Sequence, residues 1–179
     1  MAMTGMAMTG LFVRGAGLVA LVVVVTALPA PALAAGDAGD RSTVTVERVT
    51  DGDTIRVSGG DFDDESVRLI GIDTPEVDGP YTDAECFGVK SSARARTLMP
   101  EGSEVELVLD AQERDRFGRV LAYVYRASDG RFVNAAMVRG GFATAITIPP
   151  NVVHADRFRQ LERDARDAGR GLWGACERS

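Results

Sequence analysis

Cysteine, histidine and lysine are nearly missing from this sequence, and each scarcity narrows what the chain does. There are two cysteines, Cys86 and Cys176, and one histidine, His154. The cysteines do not form a Cys-x-x-Cys pair and the histidine is distant in sequence, which counts against a thiol-based active site. Lys90 is the only lysine, the other cations being arginines, and the formal charge of −6 is acidic. A nonspecific coat on a polyanion needs the opposite balance. The acidic run Asp61-Phe62-Asp63-Asp64-Glu65 lacks the D-x-D-x-D-G order of a calcium-binding loop and reads as a solvated hairpin tip.

One long apolar run is present, at the N-terminus. Arg14 precedes an apolar stretch from Leu18 to Leu28, and Ala32-Leu33-Ala34 has the small-x-small form of a cleavage site. Residues 1–34 therefore read as a secretory signal peptide. The run is shorter than the roughly 20 apolar residues of a spanning helix, and Pro29 and Pro31 interrupt its end. Removal leaves 145 residues with a formal charge of −7, a length suited to one domain. No cysteine follows the cut for lipid anchoring, so no stable membrane association is expected. The chain is expected outside the cell, or in the periplasm or cell-wall zone, as a monomer. In that oxidising compartment two cysteines favour one disulfide, Cys86 to Cys176, over two free thiols. It would close a loop of 91 residues, worth about 4 to 5 kcal/mol in the chain-entropy model.

After a flexible start over residues 35–41, Ser42 to Val49 alternates as a half-buried strand with an irregularity near its end. Thr50-Asp51-Gly52-Asp53 is a hairpin turn into a second strand, Thr54 to Val57. Asp51 is explained by the turn; Asp53, at the start of the strand, is not. A third strand runs from Val67 to Ile72. A helix follows from Phe87 to Met99, with Val89, Ala93 and Leu98 inward, and then strands Glu104 to Asp110 and Val120 to Tyr125, joined by a turn over Gln112 to Arg119. Val133 to Arg139 reads as a short helix, Phe142 to Ile148 as extended and His154 to Ala168 as the last helix. The pattern fits an α+β, mainly β domain over residues 42–176: a five-stranded OB-type barrel with about three helices, and a tail at 177–179.

The stretch with most chemistry is V-R-L-I-G-I-D-T-P-E, Val67 to Glu76. Arg68 is embedded in a strand, where an unpaired charge would cost several kcal/mol, roughly, so it needs a partner. Pro75 closes the strand beside Asp73 and Glu76. Two carboxylates and a guanidinium at one strand end suit a hard cation beside a phosphate. The plainer reading is a strand and a proline turn, with Asp73 bonded to its own backbone.

Three motifs in order decide between these readings. D-G-D-T at Asp51 to Thr54, R-L-I-G-I-D-T-P-E at Arg68 to Glu76 and D-R-F-G-R-V-L-A-Y at Asp115 to Tyr123 resemble the staphylococcal nuclease (thermonuclease) family. V-N-A-A-M-V-R-G-G at Val133 to Gly141 and G-L-W at Gly171 to Trp173 extend the likeness over the mature chain. The resemblance implies an OB-fold nuclease that uses calcium to hydrolyse DNA and RNA, leaving 3′-phosphate ends. It implies Asp53 and Asp73 as calcium carboxylates and Thr74 as a backbone carbonyl ligand. It also implies Glu76 as the group that orients or deprotonates water, and Arg68 and Arg119 as phosphate-binding arginines. Asp51 takes a supporting role, in turn geometry or beside the metal ligands. Two departures stand out: Phe117 replaces a tyrosine, and Ile146 or Thr147 stands where an aromatic would stack on a base. The rival is a catalytically silent OB module that binds nucleic acid or protein, which has no use for this whole residue set.

Overall fold

The computed structural model describes residues 41–77 and 84–176. Residues 1–40, which hold the expected leader and the flexible start but for Arg41, residues 78–83 and the tail at 177–179 lie outside the described residues; Arg41 itself already belongs to the first strand. Strand β1 (Arg41–Val49) buries Val44, Val46 and Val49, and its register shifts between Val46 and Arg48, where the irregularity was expected. It pairs antiparallel with β2 (Thr54–Ser58) on one side and β5 (Glu104–Arg114) on the other. Next to β2 lies β3 (Glu65–Leu69), and next to β5 lies β6 (Val120–Arg126), both antiparallel. Parallel pairing of β3 with β6, Val67 opposite Val120, joins the two ends into a closed five-stranded barrel. Its interior is filled by Val46, Ile55, Val57, Val67, Leu107, Val120 and Val124, all fully buried, from the inward positions of alternating strands. This is the expected α+β, mainly β OB fold.

The expected strand Val67 to Ile72 is broken in two. Gly71 adopts φ +77°, so the chain turns at Ile70-Gly71 and resumes as β4 (Ile72–Asp73), which leaves the barrel and pairs with β8 (Thr144–Ala145). A side chain at Gly71 would meet the Phe158 ring at 2.5 Å, so glycine is required by both conformation and space. The break frees backbone groups in the core, and Asn134 satisfies them. This fully buried residue of α2 (Val133–Arg139) accepts from the Val124 N–H and donates to the Ile70 carbonyl, both at 2.9 Å.

Helix α1 (Gly88–Leu98) is rotated from the expected phase. Leu98 is inward, but Val89 is 71% exposed and Ala93 is exposed; the buried face is Gly88, Ser91, Ser92, Ala95 and Leu98. Small residues let the helix lie close to the body, and the Ser91 hydroxyl donates to the Phe142 carbonyl at 2.7 Å. Strand β5 continues past Asp110 to Arg114, which shortens the expected turn to Asp115–Arg119, and only Thr144–Ala145 of the expected extended stretch is a strand. The β5 extension is held by Asn151, whose amide exchanges hydrogen bonds with the Gln112 backbone at 2.7 and 2.8 Å. β7 (Arg131–Phe132) adds a short edge to β6.

Helix α3 (Ala155–Asp167) buries Phe158 and Ala165, with Leu161 partly buried against the core. A final turn, α4 (Leu172–Ala175), was not expected, and its Leu172 N–H donates to the Gly141 carbonyl at 2.8 Å. The expected disulfide is formed: Cys86 and Cys176 are joined with their Cα atoms 5.9 Å apart. None of the described helices is long and apolar enough to cross a membrane.

Candidate active site

The turn between β1 and β2 builds the first part of the site. Asp51 Oδ1 accepts the Asp53 N–H at 3.0 Å, the turn role its sequence position suggested. A Cβ on Gly52 would meet the Thr74 side chain at 2.7 Å, so glycine lets this turn lie flat against the segment that follows β4. Asp53, only 4% exposed, is consequently pressed against Thr74. Its Oδ2 accepts both the Thr74 N–H at 2.9 Å and the Thr74 hydroxyl at 3.1 Å, while Oδ1 accepts the Thr54 hydroxyl at 3.2 Å.

Arg68 has the partners its strand position demanded. From β3 its guanidinium reaches Asp53 Oδ1 on one side, and on the other it donates to Asp73 Oδ1 at 2.8 Å and to the Ile72 carbonyl at 3.1 Å. The β4 turn thus brings Asp73 to Arg68 rather than to its own backbone. Two carboxylates flank one cationic group. Among the described residues no cluster of three or more Asp, Glu, His or Cys forms a metal cage from side chains alone.

Glu76 is exposed, but its partial burial raises its carboxyl above the usual range, and the nearby charges of Asp51 and Asp73 add to that. Burial likewise raises the Asp51 carboxyl, against the lowering effect of Arg68. The backbone of Glu76 is tied down by Glu85, a residue that sequence reasoning left unassigned within a polar loop. The Glu76 N–H donates to Glu85 Oε2 at 3.1 Å and the Glu85 N–H returns to the Glu76 carbonyl at 3.0 Å.

Arg119 projects from the hairpin between β5 and β6. Gly118, at φ +83°, supplies the turn, and Asp115 organises it: Oδ1 accepts the N–H groups of Phe117 and Arg119, and Oδ2 accepts Arg119 Nε at 2.7 Å. Burial alone would raise the Asp115 carboxyl, but these hydrogen bonds outweigh it and hold it below its usual value. The D-x-x-G-R spacing was visible in the sequence, but a turn aspartate does not announce a second partner. Arg68 and Arg119 line one cleft of about 480 Å³, with Leu121, Ile146, Ile148 and the 69% exposed Phe117 as apolar wall. Cys86 and Cys176 do not line this cleft.

Residues 66–175, from β3 through α4, match the family model described as Staphylococcal nuclease homologue. The thermonuclease of Staphylococcus hyicus is 32% identical over 166 residues, covering 92% of this chain and 96% of that protein. The thermonuclease of Staphylococcus intermedius is 34% identical over 128 residues, 72% of this chain and 74% of that protein. Endonuclease YncB of Bacillus subtilis (strain 168) is 36% identical over 132 residues, but this chain spans only 61% of its length. A closed mixed barrel, a broken third strand carrying R-L-I-G-I-D-T-P-E and a family match over most of the described residues lead to one assignment: the chain belongs to the staphylococcal nuclease family.

Proposed function

We propose that this protein is an exported, calcium-dependent nuclease that hydrolyses DNA and RNA with little sequence specificity and leaves 3′-phosphate ends. Membership of a nuclease family supports the general activity. The observation that carries the reading is that Arg68 and Arg119 line one cleft while Arg68 also touches Asp53 and Asp73. Phosphate-binding groups and hard oxygen donors are thereby adjacent. The apolar N-terminal run and the disulfide support export.

The donors suit calcium. Asp53, Asp73 and the Thr74 carbonyl are all oxygen, with no sulfur or imidazole, and the two carboxylates already flank a cationic group. Calcium, when bound there, offsets negative charge on the phosphodiester. In the proposed reaction Glu76 orients or deprotonates a water molecule whose oxygen attacks phosphorus. The bond from phosphorus to the 5′ oxygen breaks, that oxygen takes up a proton, and the phosphate stays on the 3′ side.

As charge builds on the equatorial oxygens, guanidinium N–H groups hold them. Arg119 spends Nε on Asp115, and its terminal nitrogens donate to no acceptor among the described residues, so both are open to phosphate. Phe117 is the single stacking ring among the residues that line the cleft, which supports weak base preference.

The test is end-group analysis on single-stranded DNA and RNA. Products that a polymerase extends only after phosphatase treatment carry the predicted 3′-phosphate. Products that extend directly carry a 3′-hydroxyl and contradict the proposed bond cleavage.

A further inference from the structure

Glu76 stands at the end of a short irregular segment, and its side chain is exposed. Nothing in Pro75-Glu76 anchors into the core as a large apolar residue would. Its backbone is instead fixed from outside. Both Glu76 backbone groups bond to Glu85, one through the Glu85 carboxylate at 3.1 Å and one through its N–H at 3.0 Å. Gly88, at the start of α1, lies so close below that a Cβ there would sit 2.0 Å from the Glu76 carbonyl oxygen. The Glu85 carbonyl in turn accepts the Gly88 N–H at 3.1 Å.

Glu85 is itself exposed, and an exposed glutamate does not hold a fixed position unless its backbone is held. The next residue provides that hold. Cys86 is bonded to Cys176, at the end of α4. The Cys176 N–H donates to the Leu172 carbonyl at 3.0 Å, and Leu172 is bonded to Gly141. Gly141 and Gly171 both have positive φ, and a Cβ on either would approach a facing carbonyl oxygen to 2.1 Å, so the segment leading into α4 is seated in close backbone contact. A continuous chain of contacts therefore runs from α4, through the disulfide, to the backbone of Glu76.

We propose that Glu85, braced by the Cys86–Cys176 disulfide, is a positioning residue that fixes the backbone from which the Glu76 carboxylate acts. The assignment rests on the role given to Glu76 above. Misplacing a reacting group by about 1 Å costs on the order of 100-fold in rate, so a backbone clamp on an exposed base has a measurable effect. Glutamine at position 85 keeps an oxygen that accepts the Glu76 N–H, whereas alanine does not.

The test combines rate and amide exchange in the full protein. Glu85→Ala is expected to lower kcat by about 10- to 100-fold with little change in KM, and Glu85→Gln to recover most of it. In a Glu76→Gln background Glu85→Ala is expected to have no further effect. The Glu76 amide is expected to be protected from hydrogen exchange in the wild type and to lose that protection in Glu85→Ala and in the Cys86→Ser, Cys176→Ser double variant. Unchanged kcat in Glu85→Ala beside an inactive Glu76→Gln overturns the proposal, as does an equal loss in both backgrounds. Fully active Glu76→Gln overturns the role of Glu76 instead. Amide exchange then decides the clamp independently, and equal exchange in wild type and Glu85→Ala overturns it.

Discussion

At the scale of single residues, both arginines of the site are held by carboxylate counterparts. Arg68 is shared between Asp53 and Asp73, and Arg119 is held through Nε by Asp115. Arg119 is also the residue whose role separates most cleanly from stability. It is half-buried, and Asp115 keeps its backbone bonds to Phe117 and residue 119 when the guanidinium is removed. Arg119→Ala is therefore expected to lower kcat on single-stranded DNA by about 100- to 1,000-fold, the range for losing a donor to a developing oxyanion. Its unfolding free energy should stay within about 0.5 kcal/mol of wild type. Steady-state rates together with urea unfolding check both halves, and a fully active variant removes Arg119 from the reaction.

At the scale of elements, the break in the third strand determines where Asp73 points. Had Val67 to Ile72 stayed one strand, Asp73 would have continued along the barrel. The turn at Ile70-Gly71 sends it back to Arg68. Asn134 makes the break tolerable by bonding the Ile70 carbonyl and the Val124 N–H. Asn134→Ala leaves both buried groups unpaired and is expected to cost about 2–4 kcal/mol, read as a lower urea midpoint at unchanged slope. A cost under about 0.5 kcal/mol would mean that water or a shifted backbone replaces the amide.

Elements of this kind mark the limit of what the sequence reveals. Alternation showed β1 and its bulge directly, because period-two burial is written in the order of residues, and the Asp-Gly turn showed β2. It did not show the phase of α1, where the valine at 89 faces solvent and serines face inward. That phase is set by close approach to Glu76 and Phe142, contacts distant in the chain. Arg68 was legible because a charge in a strand demands a partner. Asp115 and Glu85 were not, because a turn aspartate and a loop glutamate have ordinary local explanations.

At the scale of the whole molecule, one covalent bond spans most of the domain. The Cys86–Cys176 bridge joins residues 90 apart and links the segment behind Glu76 to the last described residue. In the chain-entropy model a bridge of that span contributes about 4 to 5 kcal/mol by restricting the unfolded chain. The Cys86→Ser, Cys176→Ser double variant is expected to unfold at correspondingly lower urea concentration. An unchanged midpoint would show that the bridge does not constrain the unfolded state. The chain is also acidic overall yet belongs to a nuclease family, so productive binding has to rest on local charge: Arg68, Arg116 and Arg119 line the cleft, and the proposed calcium on Asp53 and Asp73 would add to them. The most direct test of this account is degradation of single-stranded DNA with calcium, with excess chelator, and by Glu76→Gln with calcium. Cleavage is expected only in the first case. Wild-type protein that binds DNA but cuts it with no divalent ion, or cuts it equally well in chelator, would contradict it.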